Sequence, residues 1–124
     1  MGLTYITVAV SDLAKSEAPY EGEFWVDTGA IDCLAPSDRL LAAGIRPEGK
    51  AVYELADGTP VELEYGFARI EFVGQETVAQ VIFGPADAEP ILGTVALENV
   101  GVVVDPVSKT LKRLHAKPLK RASR

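Results

Sequence analysis

Asp27, Thr28 and Gly29 form a group of residues that could carry out acid–base chemistry. They directly follow the apolar run Phe24-Trp25-Val26, so that one segment delivers a carboxylate, a hydroxyl and a glycine to the same point of the chain. Apolar neighbours would bury the acid unless it faces a cleft, and a half-buried carboxylate needs hydrogen-bond partners or a shifted pKa. Gly29 permits close approach of the backbone. This combination is typical of an acid–base catalyst.

Residues 26–30, Val-Asp-Thr-Gly-Ala, resemble the active-site loop of the single-domain retroviral-like (retropepsin-like) aspartic proteases. Further along, residues 88–93 (Ala-Glu-Pro-Ile-Leu-Gly) resemble the apolar-apolar-Gly strand of that family, residues 94–101 its short helix and residues 102–106 its closing strand. The similarity runs in consistent order over residues 3–114. It implies an all-β fold, a small closed barrel with a flap hairpin and one or two short helices.

The resemblance implies an aspartic endopeptidase in which Asp27 activates a water molecule. Thr28 would hydrogen-bond across a two-fold axis, and Gly29 would supply backbone contacts. This chemistry needs two carboxylates that share a proton. The chain has one Asp-Thr-Gly, and the nearby acids, chiefly Asp32, match no second copy of it. The second carboxylate must then come from another copy of the chain, which predicts a homodimer.

The resemblance also implies where a polypeptide substrate would bind. A long hairpin runs from Ala51 to Phe72 around the strong turn signal Asp57-Gly58, and it occupies the place of the family's mobile flap; an ordinary surface hairpin is the alternative. The residues expected to contact substrate are Ala30, Ile31 and Asp32 after the catalytic residues, Leu55, Ala56, Asp57, Gly58 and Thr59 at the flap tip, and Ile91, Leu92 and Gly93 downstream.

One pair of positions departs from the viral members of the family. Those members usually have an acid where this chain has Ile31 and an arginine where it has Thr94, and the two charges form an ion pair that supports the loop. Loss of both charges is self-consistent, because neither is left unpaired. The departure predicts a cellular relative whose dimer is supported in another way than that of the viral members.

The patterning of the chain independently favours an all-β domain. Leu3 to Val10 alternates polar and apolar residues, as a half-buried strand does. Similar short runs recur along the chain and are separated by predicted turns, one of which is residues 74–76. Short helices are expected over 39–43 and 95–100. We therefore expect one protease-like domain over residues 1–115 and a basic, disordered tail over residues 116–124.

Composition restricts the other possibilities. The single cysteine, Cys33, excludes an intrachain disulfide and is expected to be a buried small residue; neither a metal nor another cofactor is expected. Residues 109–124 hold seven basic and no acidic residues, but they lack aromatic interleaving, so nucleic acid is not an expected partner. No run is long enough to span a membrane and no signal segment is evident, which predicts a cytoplasmic protein.

Two alternatives to an active protease stay open. The chain could be a catalytically idle relative that binds peptides or mediates dimerisation. It could also be an unrelated small β-barrel in which Asp27 only caps a turn.

Overall fold

The computed structural model describes residues 4–117 and 119. In this part of the chain the elements are β1 (Tyr5–Ser11), β2 (Tyr20–Val26), β3 (Cys33–Pro36), α1 (Ser37–Ala42), β4 (Gly49–Glu54), β5 (Pro60–Phe72), β6 (Gln75–Gly84), β7 (Ile91–Leu92), α2 (Thr94–Asn99), β8 (Val102–Val104) and β9 (Leu111–Arg113). Neither α1 nor α2 has the length and apolar character needed to cross a membrane. Most of the tail predicted over 116–124 lies outside the described residues.

The main sheet closes on itself. Its strands follow the order β1-β2-β7-β3-β6-β5-β4, and β1 also pairs with β5, so that six strands of the described chain form a ring and β4 lies outside it. β8 and β9 form a separate antiparallel pair. This ring and the two short helices confirm the predicted all-β fold with a small closed barrel.

The order of strands determines where the loop after β2 lies. β7 is parallel to β2, with Val26 opposite Leu92, and antiparallel to β3, with Leu34 opposite Ile91. β7 therefore separates β2 from β3, although these two strands are consecutive in the chain. The intervening residues 27–32, which we call the Asp27 loop, must cross over the end of β7.

Apolar side chains from alternate strand positions fill the ring. In β1, for example, Val8 and Val10 are fully buried, whereas Thr7 is exposed, as the two-residue period of a strand requires. No polar or charged side chain in the described part of the chain is buried. The largest fully buried side chains of this core are Phe24, Phe72, Leu40, Ile45, Ile70 and Leu92.

Cys33 belongs to this core, as predicted, because only 1% of it is exposed. Burial raises the pKa of its thiol to about 11. The thiol is therefore protonated at neutral pH, whereas the thiolate is the nucleophilic form. A role for Cys33 as a nucleophile is thereby disfavoured.

The two halves of β5 differ in burial. Residues 60–65 pair with β4 and none of them is buried, whereas from Gly66 onward buried residues alternate and the strand pairs with β6 and β1. β4 has no buried residue either. β4 and residues 60–65 therefore project from the barrel as a hairpin with its tip at residues 55–59. We call this element (residues 49–65) the flap hairpin. The sequence predicted a hairpin over residues 51–72; the hairpin is present, but residues 66–72 of its second strand belong to the barrel.

Two local features differ from the sequence predictions. The buried strand β3 has no counterpart among the predicted elements. The turn between β5 and β6 consists of Val73 and Gly74, not of residues 74–76. Both residues have positive φ, +46° and +77°, as a two-residue turn that follows the twist of its strands requires.

Candidate active site

Asp27 lies where β2 ends, and hydrogen bonds from both sides hold the backbone there. The N–H of Asp27 donates to the carbonyl oxygen of Leu92 at 3.1 Å, which extends the pairing of β2 with β7 by one residue. The N–H of Val26 donates to the carbonyl oxygen of Thr4 at 2.8 Å. The side chain of Asp27 is thus attached to a backbone that two neighbouring segments hold in place.

The Asp27 loop holds the carboxylate by a local turn. The N–H of Gly29 donates to Oδ1 of Asp27 at 2.9 Å, and the N–H of Ala30 donates to the Asp27 carbonyl oxygen at 3.1 Å. Within the described residues no hydrogen bond is made to Oδ2. Asp27 is half-buried, whereas Thr28 and Gly29 are exposed. One carboxylate oxygen is therefore fixed, and the second is available to another molecule.

The start of α2 supports the far side of the loop. The N–H of Thr94 donates to the carbonyl oxygen of Ala30 at 2.9 Å, and that of Val95 donates to the carbonyl oxygen of Ile31 at 3.1 Å. The first N–H groups of a helix have no partner within the helix. No side chain caps α2, so the carbonyl groups of the Asp27 loop take that place.

Gly93 is required where the loop and α2 meet. A Cβ atom at this position would lie 2.5 Å from the carbonyl oxygen of Asp32 and 2.6 Å from that of Ile31. Both distances are far shorter than a carbon–oxygen contact, and the obstructing atoms are backbone atoms that cannot rotate away. Gly93 serves close approach here, and its φ of −91° is ordinary for any residue.

The backbone bonds at α2 explain how the loop is held without an ion pair. The side chain of Ile31 is 69% exposed, so it does not support the loop by packing in the interior. Thr94 supports the loop through its backbone N–H and not through its side chain. Within the single chain, the Asp27 loop is held to α2 by backbone hydrogen bonds.

A cleft of about 280 Å³ borders Asp27 on the side of Thr4 and of the turn between β8 and β9. It is lined by Thr4, Trp25, Val26, Asp27, Thr28, Val104, Pro106 and Lys109. The hydroxyl of Thr4 donates to the carbonyl oxygen of Lys109, which joins the N-terminal segment to the turn between β8 and β9. Sequence reasoning did not assign Pro106 or Lys109 to the site, because nothing in a β-turn between two short strands indicates what it will face.

The flap tip forms its own compact turn. The N–H of Leu55 donates to the carbonyl oxygen of Thr59 at 2.9 Å, and Gly58 has a φ of +88°. The Asp57 carboxylate accepts a bond from the N–H of Thr59 at 2.9 Å, and hydrogen bonds from Thr59 lower its pKa. All five residues of the tip, 55–59, are exposed. The turn predicted from Asp57-Gly58 is confirmed.

A chain of side chains connects the Asp27 loop with the flap hairpin. Nε2 of Gln80, on β6, lies 3.4 Å from Oδ2 of Asp32 and 3.2 Å from the hydroxyl oxygen of Tyr53, on β4. Burial raises the pKa of the Asp32 carboxyl group. Neither Gln80 nor Tyr53 was among the predicted site residues, since they are distant in sequence from Asp32 and carry no motif.

The residues predicted for the site occupy three places. Asp27 to Asp32 form one continuous loop; Leu92 and Gly93 are buried beneath it, with Ile91 half-buried beside them. The flap tip lies apart from both, and no hydrogen bond of the described residues joins it to the Asp27 loop. No cluster of three or more His, Cys, Asp or Glu side chains suited to a metal ion occurs in the described part of the chain.

Solved structures of retroviral proteases share this fold. The EIAV protease, complexed with the inhibitor HBY-793, is similar over 81% of this chain and 89% of its own, with 19% sequence identity and a TM-score of 0.60. The solution structure of the simian foamy virus (mac) protease is similar over 76% of this chain and 91% of its own, with 15% identity and a TM-score of 0.54. The closed ring of strands thus belongs to a retropepsin-like fold, as the sequence predicted.

No protein-family model matches the sequence, and no curated protein matches it either. The assignment of a retropepsin-like fold therefore rests on the three-dimensional likeness.

Proposed function

We propose that the protein is an aspartic endopeptidase that hydrolyses peptide bonds in polypeptides as a homodimer, with one Asp27 from each chain. The observation that carries this proposal is the position of Asp27 in a retropepsin-like fold, at the end of β2, with Oδ1 fixed by the N–H of Gly29. The two retroviral proteins whose structures are similar to this chain are named as proteases, and one of them is complexed with an inhibitor.

The homodimer follows from the chemistry, because one chain supplies one Asp-Thr-Gly. Two carboxylates in contact cannot both ionise cheaply, so that they share one proton and titrate as a pair. A symmetric dimer brings the same residue of both chains to its axis. Asp27 lies in a loop whose next two residues, Thr28 and Gly29, are exposed in the single chain and free to meet the loop of a second copy.

In the proposed reaction the ionised Asp27 removes a proton from a water molecule held between the two carboxyl groups. The water oxygen attacks the carbonyl carbon of the peptide bond, while the protonated Asp27 of the other chain donates its proton to the carbonyl oxygen. The resulting tetrahedral diol collapses when a proton passes to the amide nitrogen, which leaves as an amine. Proton transfer by positioned groups of this kind contributes about 10²- to 10⁴-fold to a rate.

The substrate would lie as an extended strand between the Asp27 loop and the flap hairpin, where its backbone can pair with exposed backbone groups. Ala30, Ile31 and Asp32 would contact it from the loop, and the tip residues 55–59 from the flap hairpin. Ile91 borders the same region. Leu92 and Gly93 are buried under the loop, so their contribution to binding would be indirect, through the position of the loop.

The decisive experiment compares wild type with Asp27→Asn on a denatured protein mixture at several pH values between about 4 and 7, a range in which a shared-proton pair is competent. New peptide termini are identified by mass spectrometry. Asp87→Asn, at an exposed turn between β6 and β7, is the matched control. We expect cleavage by wild type and Asp87→Asn, and none by Asp27→Asn.

Cleavage by all three proteins would contradict the proposal. If a folded and dimeric wild type cleaves nothing but binds peptides saturably, the protein is instead a catalytically idle, peptide-binding relative. The oligomeric state is therefore measured by analytical ultracentrifugation at the concentration of the assay.

A further inference from the structure

Gln80 occupies a position from which it can reach two separate parts of the site. It lies on β6, where its neighbour Val81 pairs with Cys33, the first residue after the Asp27 loop. On its other side Gln80 itself pairs with Phe67 of β5, the strand that continues into the flap hairpin. β6 therefore lies between the element that follows the loop and the element that carries the flap hairpin.

The side-chain amide of Gln80 suits this position chemically. Its NH₂ group has two donor hydrogens, and two oxygen atoms lie near Nε2, namely Oδ2 of Asp32 at 3.4 Å and the hydroxyl oxygen of Tyr53 at 3.2 Å. An ionised carboxylate can only accept, so that the nitrogen and not the oxygen of the amide must face Asp32. One amide thus satisfies both acceptors.

No backbone pairing connects β4, which carries Tyr53, with β6, which carries Gln80. We call the two hydrogen bonds of the Gln80 amide the bridge. β4 and β6 both pair with β5, but Tyr53 lies opposite Val61 whereas Gln80 lies opposite Phe67, six residues further along β5. The contact between the Tyr53 and Gln80 side chains therefore joins positions that strand pairing alone does not bring together. β4 pairs with β5 alone among the described strands, so the bridge is an additional connection of the outer flap strand to the rest of the protein.

The surroundings of the bridge are partly dry. Both hydrogen bonds are part-buried, and burial is the largest cause that raises the pKa of Asp32 and that of Tyr53. In partly buried surroundings a polar group that loses its hydrogen-bond partner is destabilising.

We infer that Gln80 is a positioning residue that ties β4 of the flap hairpin to the Asp27 loop through Tyr53 and Asp32, so that the flap hairpin and the loop respond to each other. Gln80 acts through these two side chains and need not touch the substrate. Its effect on catalysis rests on the proposed function, whereas its effect on the flap hairpin does not.

The test measures hydrogen–deuterium exchange by mass spectrometry for wild type, Gln80→Leu, Tyr53→Phe and the double variant. Tyr53→Phe removes a single oxygen atom, which keeps the test valid if Gln80→Leu folds poorly. Gln75→Leu makes the same substitution at the start of β6, away from the flap hairpin, and is the control.

In peptides covering residues 49–63 we expect exchange to be faster by about three- to tenfold in both single variants, the effect of one lost hydrogen bond. The double variant should exchange no faster than the faster single variant, because both substitutions break the same bridge. Peptides from β2 should exchange at the wild-type rate in every variant, and all peptides of the Gln75→Leu control should do the same. Equal acceleration throughout the barrel would indicate a merely structural role, and additive effects or an unchanged flap hairpin would also overturn the inference.

Peptide cleavage provides a second, separate measurement. With a wild type that cleaves in an Asp27-dependent manner, Gln80→Leu and Tyr53→Phe should each raise KM about three- to tenfold with a smaller change in kcat, since the flap hairpin closes over bound substrate less often. An unchanged KM would overturn the catalytic part of the inference. Absence of cleavage by wild type would count against the proposed function alone. The exchange experiment tests the connection through Gln80 without any measurement of cleavage.

Discussion

The N–H of Thr94 donates a 2.9 Å hydrogen bond to the carbonyl oxygen of Ala30, and this bond connects the first turn of α2 to the loop that carries Asp27. The helix gains a partner for an N–H group that would otherwise have none, and the loop gains a fixed point three residues after its carboxylate. Because both groups belong to the backbone, the connection does not depend on the identity of the side chains. This is how a loop with Ile31 and Thr94 can keep its shape without an ion pair.

Gly93→Ala tests the contact between α2 and the Asp27 loop. The added Cβ would meet backbone oxygen atoms at 2.5 and 2.6 Å, so the loop or the helix must move, at a cost of about 1–3 kcal/mol in the free energy of unfolding. Urea denaturation measures this loss. Gly22→Ala is the control, because its Cβ would meet only the Tyr20 side chain, at 3.0 Å. Equal stability of Gly93→Ala and wild type would contradict the geometry.

Two substitutions at Asp27 separate its chemical role from its structural one. The N–H of Gly29 donates to Oδ1 of Asp27 at 2.9 Å, and the amide oxygen introduced by Asp27→Asn can still accept this bond, whereas the methyl group introduced by Asp27→Ala cannot. We expect Asp27→Asn to unfold at the urea concentration of wild type and Asp27→Ala to lose about 1 kcal/mol, while both lack proteolytic activity. A large loss of stability in Asp27→Asn would show that the charge itself holds the loop.

The ion pairs of Glu76 predict a stability that depends on pH. Its carboxylate lies 2.9 Å from Nζ of Lys15 and 3.1 Å from Nη1 of Arg69, and the hydrogen bond from Lys15 is the largest of the causes that lower its pKa. A lowered pKa in the folded state stabilises the protein above the pKa of the unfolded chain, and this stabilisation is lost as the pH falls through the folded pKa. The free energy of unfolding of wild type should therefore exceed that of Glu76→Gln at pH 7, and the difference should shrink towards about pH 3.

Urea denaturation of both proteins between about pH 3 and 7 measures this difference. Glu71→Gln, at an exposed position of β5 without an ion pair among the described residues, is the control. A difference that does not vary with pH would mean that the ion pairs seen in the structure contribute nothing in solution.

Asp32 predicts the opposite dependence on pH. Burial raises the pKa of its carboxyl group, so the folded protein binds this proton more tightly than the unfolded chain. The corresponding stability is present below the unfolded pKa and is lost as the pH rises through the folded pKa. Relative to Asp32→Asn, which keeps an oxygen acceptor for Gln80, wild type should lose stability as the pH rises from about 3 to 7. A wild type that gains stability relative to Asp32→Asn over this range would contradict the direction of the shift.

The sequence was sufficient to predict the elements whose signals are local. The flap hairpin has alternating residues on both sides of Asp57-Gly58, and the apolar run at the end of β2 is followed directly by Asp27-Thr28-Gly29. β3 gives no such signal, because its four residues are all apolar or nearly so and end in Pro36. Its pairing with β6 and β7 is what makes it a strand, and that pairing is visible only in the folded chain.

The same limit applies within the candidate site. Gln80 is 27 residues from Tyr53 and 48 residues from Asp32 along the chain, and a hydrogen-bonded set at such separations carries no spacing signal. Val73 illustrates a different limit. A β-branched residue rarely adopts a φ of +46°, so the sequence placed the turn one residue too late, around Gly74.

The proposed dimer can be tested by mixing subunits. If the site needs one Asp27 from each chain, Asp27→Asn chains will capture wild-type chains in inactive heterodimers. At a fixed amount of wild type, and with free exchange of subunits, an equal amount of Asp27→Asn should leave about half of the activity and a threefold excess about a quarter. Asp87→Asn added in the same amounts should increase the activity, since its chains would form active sites. Mass spectrometry of differently labelled chains verifies that the subunits have exchanged. If exchange is complete and Asp27→Asn still leaves the activity unchanged, a single chain holds a complete site.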